Sequence, residues 1–347
     1  MRIEQLTFTR FIAASLIVIF HYGVDIFPFS LQKTVFLGAN IGVSYFFVLS
    51  GFVMIVAYHK KQKISIFDYL RNRFARIYPL YLLATLILVS YYLLSTNVSI
   101  DLIDLFANLF MIQSWMPQRV LTLNFPGWSL SVELFFYITF PILFNYFYNR
   151  LDYKKLALPI LLFFGVSQLV FFYFFYSEYY QGPNTVSHDL LFYFPVIHLN
   201  EFLVGNLLGL YFIQRDYKTR NNAFLIISLI IVCALILAYG NAIDYHNGIL
   251  AVIFAPMILL ISYDHSWISR ISRSKSLIHL GEISYGVYIL QIPVFSITRR
   301  LLIYLGITNK ASIFYICFIV LILFSSITYK FIETPLRKKI KSIKLAS

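Results

Sequence analysis

A polytopic, all-α bundle of membrane-spanning helices is the fold class this sequence predicts, and three observations predict it. Of its 347 residues 60% are hydrophobic and only 12% are charged, with a mean hydropathy of +0.76. A soluble fold of this length does not bury so much apolar surface. Apolar runs of roughly 20 residues recur, which is the length that crosses a hydrocarbon core about 30 Å thick. The loops between these runs alternate between basic and nearly uncharged, as the positive-inside rule requires.

Taken in order, about ten spans are expected, near residues 7–27, 36–58, 78–96, 129–148, 156–176, 191–213, 223–240, 247–263, 284–304 and 312–332. The first run is too long for a cleavable signal peptide and lacks a small-residue cleavage site, so it is expected to remain a helix. One set of loops carries Lys60, Lys61, Lys63, Arg71, Arg73 and Arg76, then Arg150, Lys154 and Lys155. It continues with Arg215, Lys218 and Arg220, then Arg270, Arg273 and Lys275, and ends in a basic tail, 337–347, with Arg337, Lys338, Lys339, Lys341 and Lys344. The opposite set holds only Lys33, Arg119, Arg299, Arg300 and Lys310 of the 28 Lys and Arg. Both termini and the basic loops are therefore expected in the cytoplasm. The net charge of +13 then has a topological origin, and nucleic acid is not an expected partner.

Residues 97–128 form a long outer loop containing the apolar stretch LFANLFMIQSW. That stretch is too short to span and reads as a re-entrant or half-inserted segment. A full span there would move every later loop to the other side and invert the charge alternation. Asn97, Val98 and Ser99 form the one sequon. Cys233 and Cys317 both lie inside apolar runs, where they read as packing residues, so no disulfide, metal or bound cofactor is expected. No internal repeat and no separate soluble domain is visible. Residues 1–347 read as one membrane domain whose chemistry takes place in or at the bilayer.

Within that frame the ionisable residues of the apolar runs stand out, because each costs a few kcal/mol or more at bilayer depth. Arg10 and His21 lie in the first span, in RFIAASLIVIFH. Their interval is about three helical turns, so both side chains fall on nearly one face, roughly 16 Å apart along the axis. A cation at the membrane edge and a titratable base deeper in the same groove describe a path ending in chemistry. The plain alternative is a snorkelling arginine with a histidine satisfied by a neighbouring helix.

Four further groups follow. Arg71, Arg73 and Arg76 cluster in DYLRNRFARIYPLY, where guanidiniums suit phosphates or equally anchor anionic headgroups. PGWSLSVELFFY places Glu133 about one turn below Trp128, near the depth of His21 by the same ruler, with Ser129 and Ser131 on the outer side. Glu133 there could orient the imidazole, stabilise its cation or take a proton. Asp25, four residues after His21, is within reach of the ring's other nitrogen, or is an interfacial charge facing headgroups. Gly42, Ser44, Ser50 and Gly51 form a small-residue face in the second span, which reads first as close packing.

RFIAASLIVIFH, GVSYFFVLSG, RFARIYPLY, NLFMIQSW, WSLSVELFFY, SYGVYILQIPV and IETPLRK occur in this order from Arg10 to Lys338. Together they resemble the acyltransferase-3 family of integral membrane O-acyltransferases. The resemblance implies a bundle of ten helices in the bacterial inner membrane that moves acyl groups, mostly acetyl, onto envelope glycans. It implies that His21 is the essential histidine and that Arg10 is its preceding basic residue. It also implies that Arg73 and Arg76 are the cytoplasmic pair tied to acyl-CoA use, and that Glu133 is the glutamate of WSLSVE. Many relatives carry a histidine where Gln291 stands in YILQIPV, so no catalytic role is carried to Gln291. Many also bear an additional esterase-like SGNH domain, absent up to Ser347, so a stand-alone enzyme of the O-antigen, lipopolysaccharide or capsule type is expected.

The expected mechanism takes acetyl-CoA as donor substrate, its phosphates held by Arg71, Arg73, Arg76 and Arg10. A lipid-linked or surface polysaccharide hydroxyl approaches from the side of Trp128, Ser129 and Ser131. His21 acts as base or as acyl carrier, with Glu133 or Asp25 stabilising the imidazolium. Two other functions fit a many-span bundle. A polymerase would place its key arginines on the outer side, and a transporter or flippase of lipid-linked sugars often shows half-helix repeats. Transfer of another group, such as succinyl, fits the same fold.

Overall fold

The computed structural model describes residues 3–95, 99–215, 219–240 and 245–343. Asn97 and Val98 of the sequon, and Lys218 and Lys344 of the basic segments, lie outside the described residues. Among the described residues every regular element is helical, apart from one isolated bridge between Arg220 and Asp264. The all-α expectation therefore holds.

Each of the ten expected segments contains helix, and among the described residues six helices are long and apolar enough to cross a bilayer, or seven if one bent pair counts as a span. Five match the expected positions closely: Gln5–Tyr22, Ala39–Tyr58, Phe125–Tyr148, Tyr153–Phe175 and the start of Lys310–Ser342. The helix Ile66–Ser95 begins twelve residues before the expected third span, so the arginine cluster is part of that helix and not of a loop. Two expected spans are short apolar helices, Ala223–Tyr239 and Ala251–Ser262. The segment expected at 191–213 divides into Val186–Phe192 and Leu199–Gln214, and the second helix buries Asn200, Glu201 and Asn206. Those polar atoms lower its hydropathy while hydrogen bonds inside the bundle satisfy several of them.

The expected ninth span is broken. Lys275–Ile289 and Gln291–Tyr304 meet at Leu290 with a bend of 76°. Pro293 explains the break, since it has no N–H for the carbonyl of Ile289 four residues back. Asn124 Nδ2 donates to that carbonyl instead, at 3.1 Å. A buried break in a membrane helix survives only when its freed groups find such partners.

The core is closed by glycine contacts. A Cβ on Gly205 would lie 2.1 Å from the carbonyl oxygen of Val48, and one on Gly51 would lie 2.2 Å from that of Phe202. The second span and Leu199–Gln214 thus touch backbone to backbone, as small residues permit. The packing reading of Gly42 and Gly51 holds, with Gly42 against the carbonyl of Ala13, whereas Ser50 turns to Glu133. Gly205→Val is expected to cost about 3 kcal/mol or more through forced separation of the two backbones. A sharp fall in folded membrane yield and in unfolding temperature is the expected readout.

The loop expected on the outer side contains the short helix Leu102–Leu109, whose Leu102, Ile103 and Phe106 are exposed. Asp101 caps its N-terminus on the Ile103 N–H, and Arg119 pairs with both Asp101 and Asp104 at 2.9 and 2.5 Å. The hydrogen bond from Arg119 holds the Asp101 carboxyl below the usual carboxylate range. On its inner face Asn108, Gln113 and Ser114 are buried, and Ser114 joins the loop to the fourth span through Ser131 Oγ and the Trp128 carbonyl. Apolar side chains outward and polar anchors inward suit a segment lying in the membrane interface.

Candidate active site

Two adjoining cavities run between the first, second and third spans and the helix Lys275–Ile289. The first, about 70 Å³, is lined by Arg10, Ser50, Arg73, Arg76, Glu133 and Tyr288 among others. The second, about 320 Å³, shares Arg10 and Arg76 and extends to Glu282, Glu333 and Arg337. Three arginines and a glutamate thus converge in an otherwise apolar bundle.

Each residue arrives there by local necessity. Arg73 and Arg76 stand three apart on one helix, close enough to face one cavity. Arg73 sits among the rings of Tyr58, Tyr69 and Tyr137, at 5.7, 5.3 and 5.8 Å. Aromatic faces stabilise a guanidinium without neutralising it. Arg10 and Arg73 each keep a buried Nε with no hydrogen-bond partner among the described residues. Buried donors in that state fit an anionic ligand. Glu133 accepts from Ser50 Oγ at 3.2 Å.

Arg71 is placed differently. It pairs with Asp68 at 2.7 Å and donates to the carbonyl of Ile343 at 2.7 Å, tying the C-terminal segment to the arginine helix. Neither cavity is lined by it. The same docking brings Arg337 to the second cavity, a residue that sequence reading assigned only to a basic tail. The available signal was its place in IETPLRK, one turn after Glu333.

His21 ends the first helix, half-buried, and lines neither cavity. Its ring lies edge-on to Phe125 at 4.6 Å, and its Nδ1 is 2.7 Å from Gln291 Oε1. Neither expected carboxylate is its partner. Asp25 is exposed and held 2.6 Å from Lys33, which keeps its carboxyl below the usual range through the hydrogen bond and the charge. A four-residue interval brings two side chains together only while the helix continues, and this helix ends at Tyr22. Glu133 faces Ser50 and Arg10 in the cavity. Asp25→Asn is therefore expected to leave transfer unchanged when initial rates of the two proteins are compared.

Tyr288 and Phe125 connect the two regions. The Tyr288 ring lines the first cavity, its hydroxyl donates to the Pro126 carbonyl at 2.9 Å, and it lies 2.7 Å from Ser129 Oγ. Its carbonyl in turn accepts from Gln291 Nε2 at 2.6 Å. Ser129 thus lines the first cavity, whereas Ser131 and Trp128 do not. Ser131 anchors the outer loop, and buried Trp128 packs on Phe47, Tyr193, His198 and His246. Behind Trp128, His198 and Glu201 form a buried pair at 2.8 Å that sequence reading missed, their spacing on one helix face being the only signal. Among the described residues no three His, Cys, Asp or Glu side chains stand together as metal ligands.

A family model described as an acyltransferase domain matches residues 3–330. The chain is 29% identical over 285 residues to the acyltransferase MdmB of Streptomyces mycarofaciens, covering 76% of this chain and 70% of that one. It is 26% identical over 344 residues to the peptidoglycan O-acetyltransferase OatA of Listeria monocytogenes, covering 87% and 52%. It is 23% identical over 329 residues to the O-acetyltransferase OatA of Staphylococcus aureus, covering 87% and 53%. The chain thus spans about half the length of these two O-acetyltransferases. No solved structure matches it.

Proposed function

Since the chain belongs to the acyltransferase-domain family, from nearly its first residue to Lys330, we propose that it is an O-acyltransferase of the bacterial inner membrane. Its donor in this reading is cytoplasmic acetyl-CoA and its acceptor a hydroxyl of an envelope glycan, such as a lipid-linked or surface polysaccharide. Two relatives carry O-acetyltransferase in their names, and one of them names peptidoglycan, which supports acetyl as the group and a glycan as the acceptor class.

The observation that carries the reading is the pair of cavities lined by Arg10, Arg73, Arg76 and Arg337 and leading to Glu133 and Ser129. Clustered guanidiniums with unpaired buried donors suit the phosphates of a CoA, and a narrow inner cavity suits its slender thioester arm. Tyr288 and Phe125 lie between that arm and His21, so transfer requires the Tyr288, Ser129 and Pro126 cluster to part. The acceptor oxygen then attacks the thioester carbonyl while its proton passes to His21. The carbon–sulfur bond breaks, and the proton returns to the departing CoA thiolate.

The test is expression in a host with a defined surface polysaccharide, with base-labile acetyl groups measured by mass spectrometry. Acetyl that appears only with the protein supports the reading. Its absence, with the protein folded in the membrane, turns the assignment toward a transporter of lipid-linked sugars.

A further inference from the structure

We infer that Gln291 is the positioning residue that sets the tautomer of His21, leaving Nε2 as the nitrogen that takes the proton. The inference rests on the reading of His21 as the base, and it follows from the hydrogen bonds at the broken helix.

The amide of Gln291 is fully buried and touches two groups. One end lies 2.6 Å from the Tyr288 carbonyl oxygen, the other 2.7 Å from His21 Nδ1. A carbonyl oxygen only accepts, so the end facing Tyr288 must be the NH2 group. A flipped amide would set two oxygens against each other at that distance. The end facing His21 is therefore Oε1, which also only accepts. Nδ1 must then carry a hydrogen, and the neutral ring keeps its lone pair on Nε2. The hydrogen bond that His21 makes among the described residues uses Nδ1 and leaves Nε2 without one.

Backbone geometry holds this arrangement. Gln291 is the first residue of the helix that follows the Leu290 break, and Pro293, two residues on, removes a backbone hydrogen bond that would carry the helix through it. The carbonyl to which its NH2 donates belongs to the last turn of the preceding half-helix. The break thus fixes the amide, and the amide fixes the ring.

The neighbours of the ring make the inference separable from charge effects. His21 is faced by Phe20, Tyr22, Phe125 and Gln291. Tyr22 is the one ionisable side chain of these four and stacks on Phe295 at 4.1 Å, while Asp25 is held away by Lys33.

The experiment uses the full chain in lipid nanodiscs with 15N-labelled histidine, His21→Ala identifying the His21 signals. The expected result at neutral pH is a protonated Nδ1 and a bare Nε2 in the native protein, with the Nε2–H form becoming major in Gln291→Leu. A native Nε2–H form, or an unchanged tautomer in Gln291→Leu, overturns the inference. This readout needs no substrate, so it fails or succeeds independently of the proposed reaction. In acetyl transfer, Gln291→Leu is expected to lose about 10²-fold in kcat with donor KM unchanged. Gln291→Glu keeps an acceptor for Nδ1–H but loses the donor to the Tyr288 carbonyl, so it is expected to recover only part of that loss. Its carboxylate favours the imidazolium, so the acidic limb of the rate profile moves to higher pH. Equal losses in both variants with no pH shift would reduce Gln291 to a packing residue.

Discussion

His21→Ala is expected to lower acetyl transfer by about 10²- to 10⁴-fold, the range that a positioned acid–base group supplies, while leaving the protein folded. The ring is half-buried at a helix end, where its removal costs the Phe125 contact and one hydrogen bond. The largest local penalty is the unpaired Gln291 Oε1, about 1–3 kcal/mol, which a bundle held by backbone contacts such as Gly51 on Phe202 tolerates. Transfer is measured as base-labile acetyl on the acceptor glycan, and folding as membrane yield and unfolding temperature. Full activity in a folded His21→Ala protein would remove this histidine from the chemistry. Initial-rate patterns add a second reading: a base requires donor and acceptor bound together, whereas ping-pong kinetics would mean an acyl-imidazole.

Arg76→Ala is expected to raise the donor KM by roughly 10- to 150-fold, the equivalent of one charge-assisted hydrogen bond of about 1.5–3 kcal/mol. Arg76 is chosen because it lines both cavities, so any route for a CoA passes it. The control is a donor without nucleotide phosphates, S-acetyl-pantetheine, with which the native and variant proteins should differ little. An equal loss with both donors would assign Arg76 to the order of the cavity and not to phosphate binding. Arg73→Ala is expected to act in the same direction but more weakly, since Arg73 lines only the first of the two cavities. Arg71→Ala should have the smallest effect, because Asp68 and the Ile343 carbonyl take up its guanidinium.

Hydropathy located the helical segments among the described residues, of which six, or seven with the bent pair, are continuous and apolar enough to cross a bilayer. Two of the other expected spans are interrupted by polar residues or a proline, at His198, Asn200 and Glu201 and at Pro293. A window average cannot separate a buried amide that has a partner from one that does not. The same limit governed the site. Arg10, Arg73, Arg76 and Glu133 were legible because charge is rare in apolar sequence, and the structure brings all four to one cavity. Asp25 was misplaced because spacing was read through a helix that stops at Tyr22, three residues before it. Arg337 was passed over because basic residues at a membrane edge are ordinarily topological.

What the sequence determined by itself is the all-helical class, the acyltransferase-domain family and the set of ionisable residues that interrupt the apolar runs. Those depend on composition, order and local period. The tertiary structure alone decided their partners: Glu133 with Ser50, Asp25 with Lys33, Arg71 with the Ile343 carbonyl, and His21 with Gln291. Helical period says which face a side chain occupies but not which neighbour meets it. His21 and Gln291 stand 270 residues apart in the chain, and only the packing of the first helix against the broken one brings the ring and the amide within 2.7 Å.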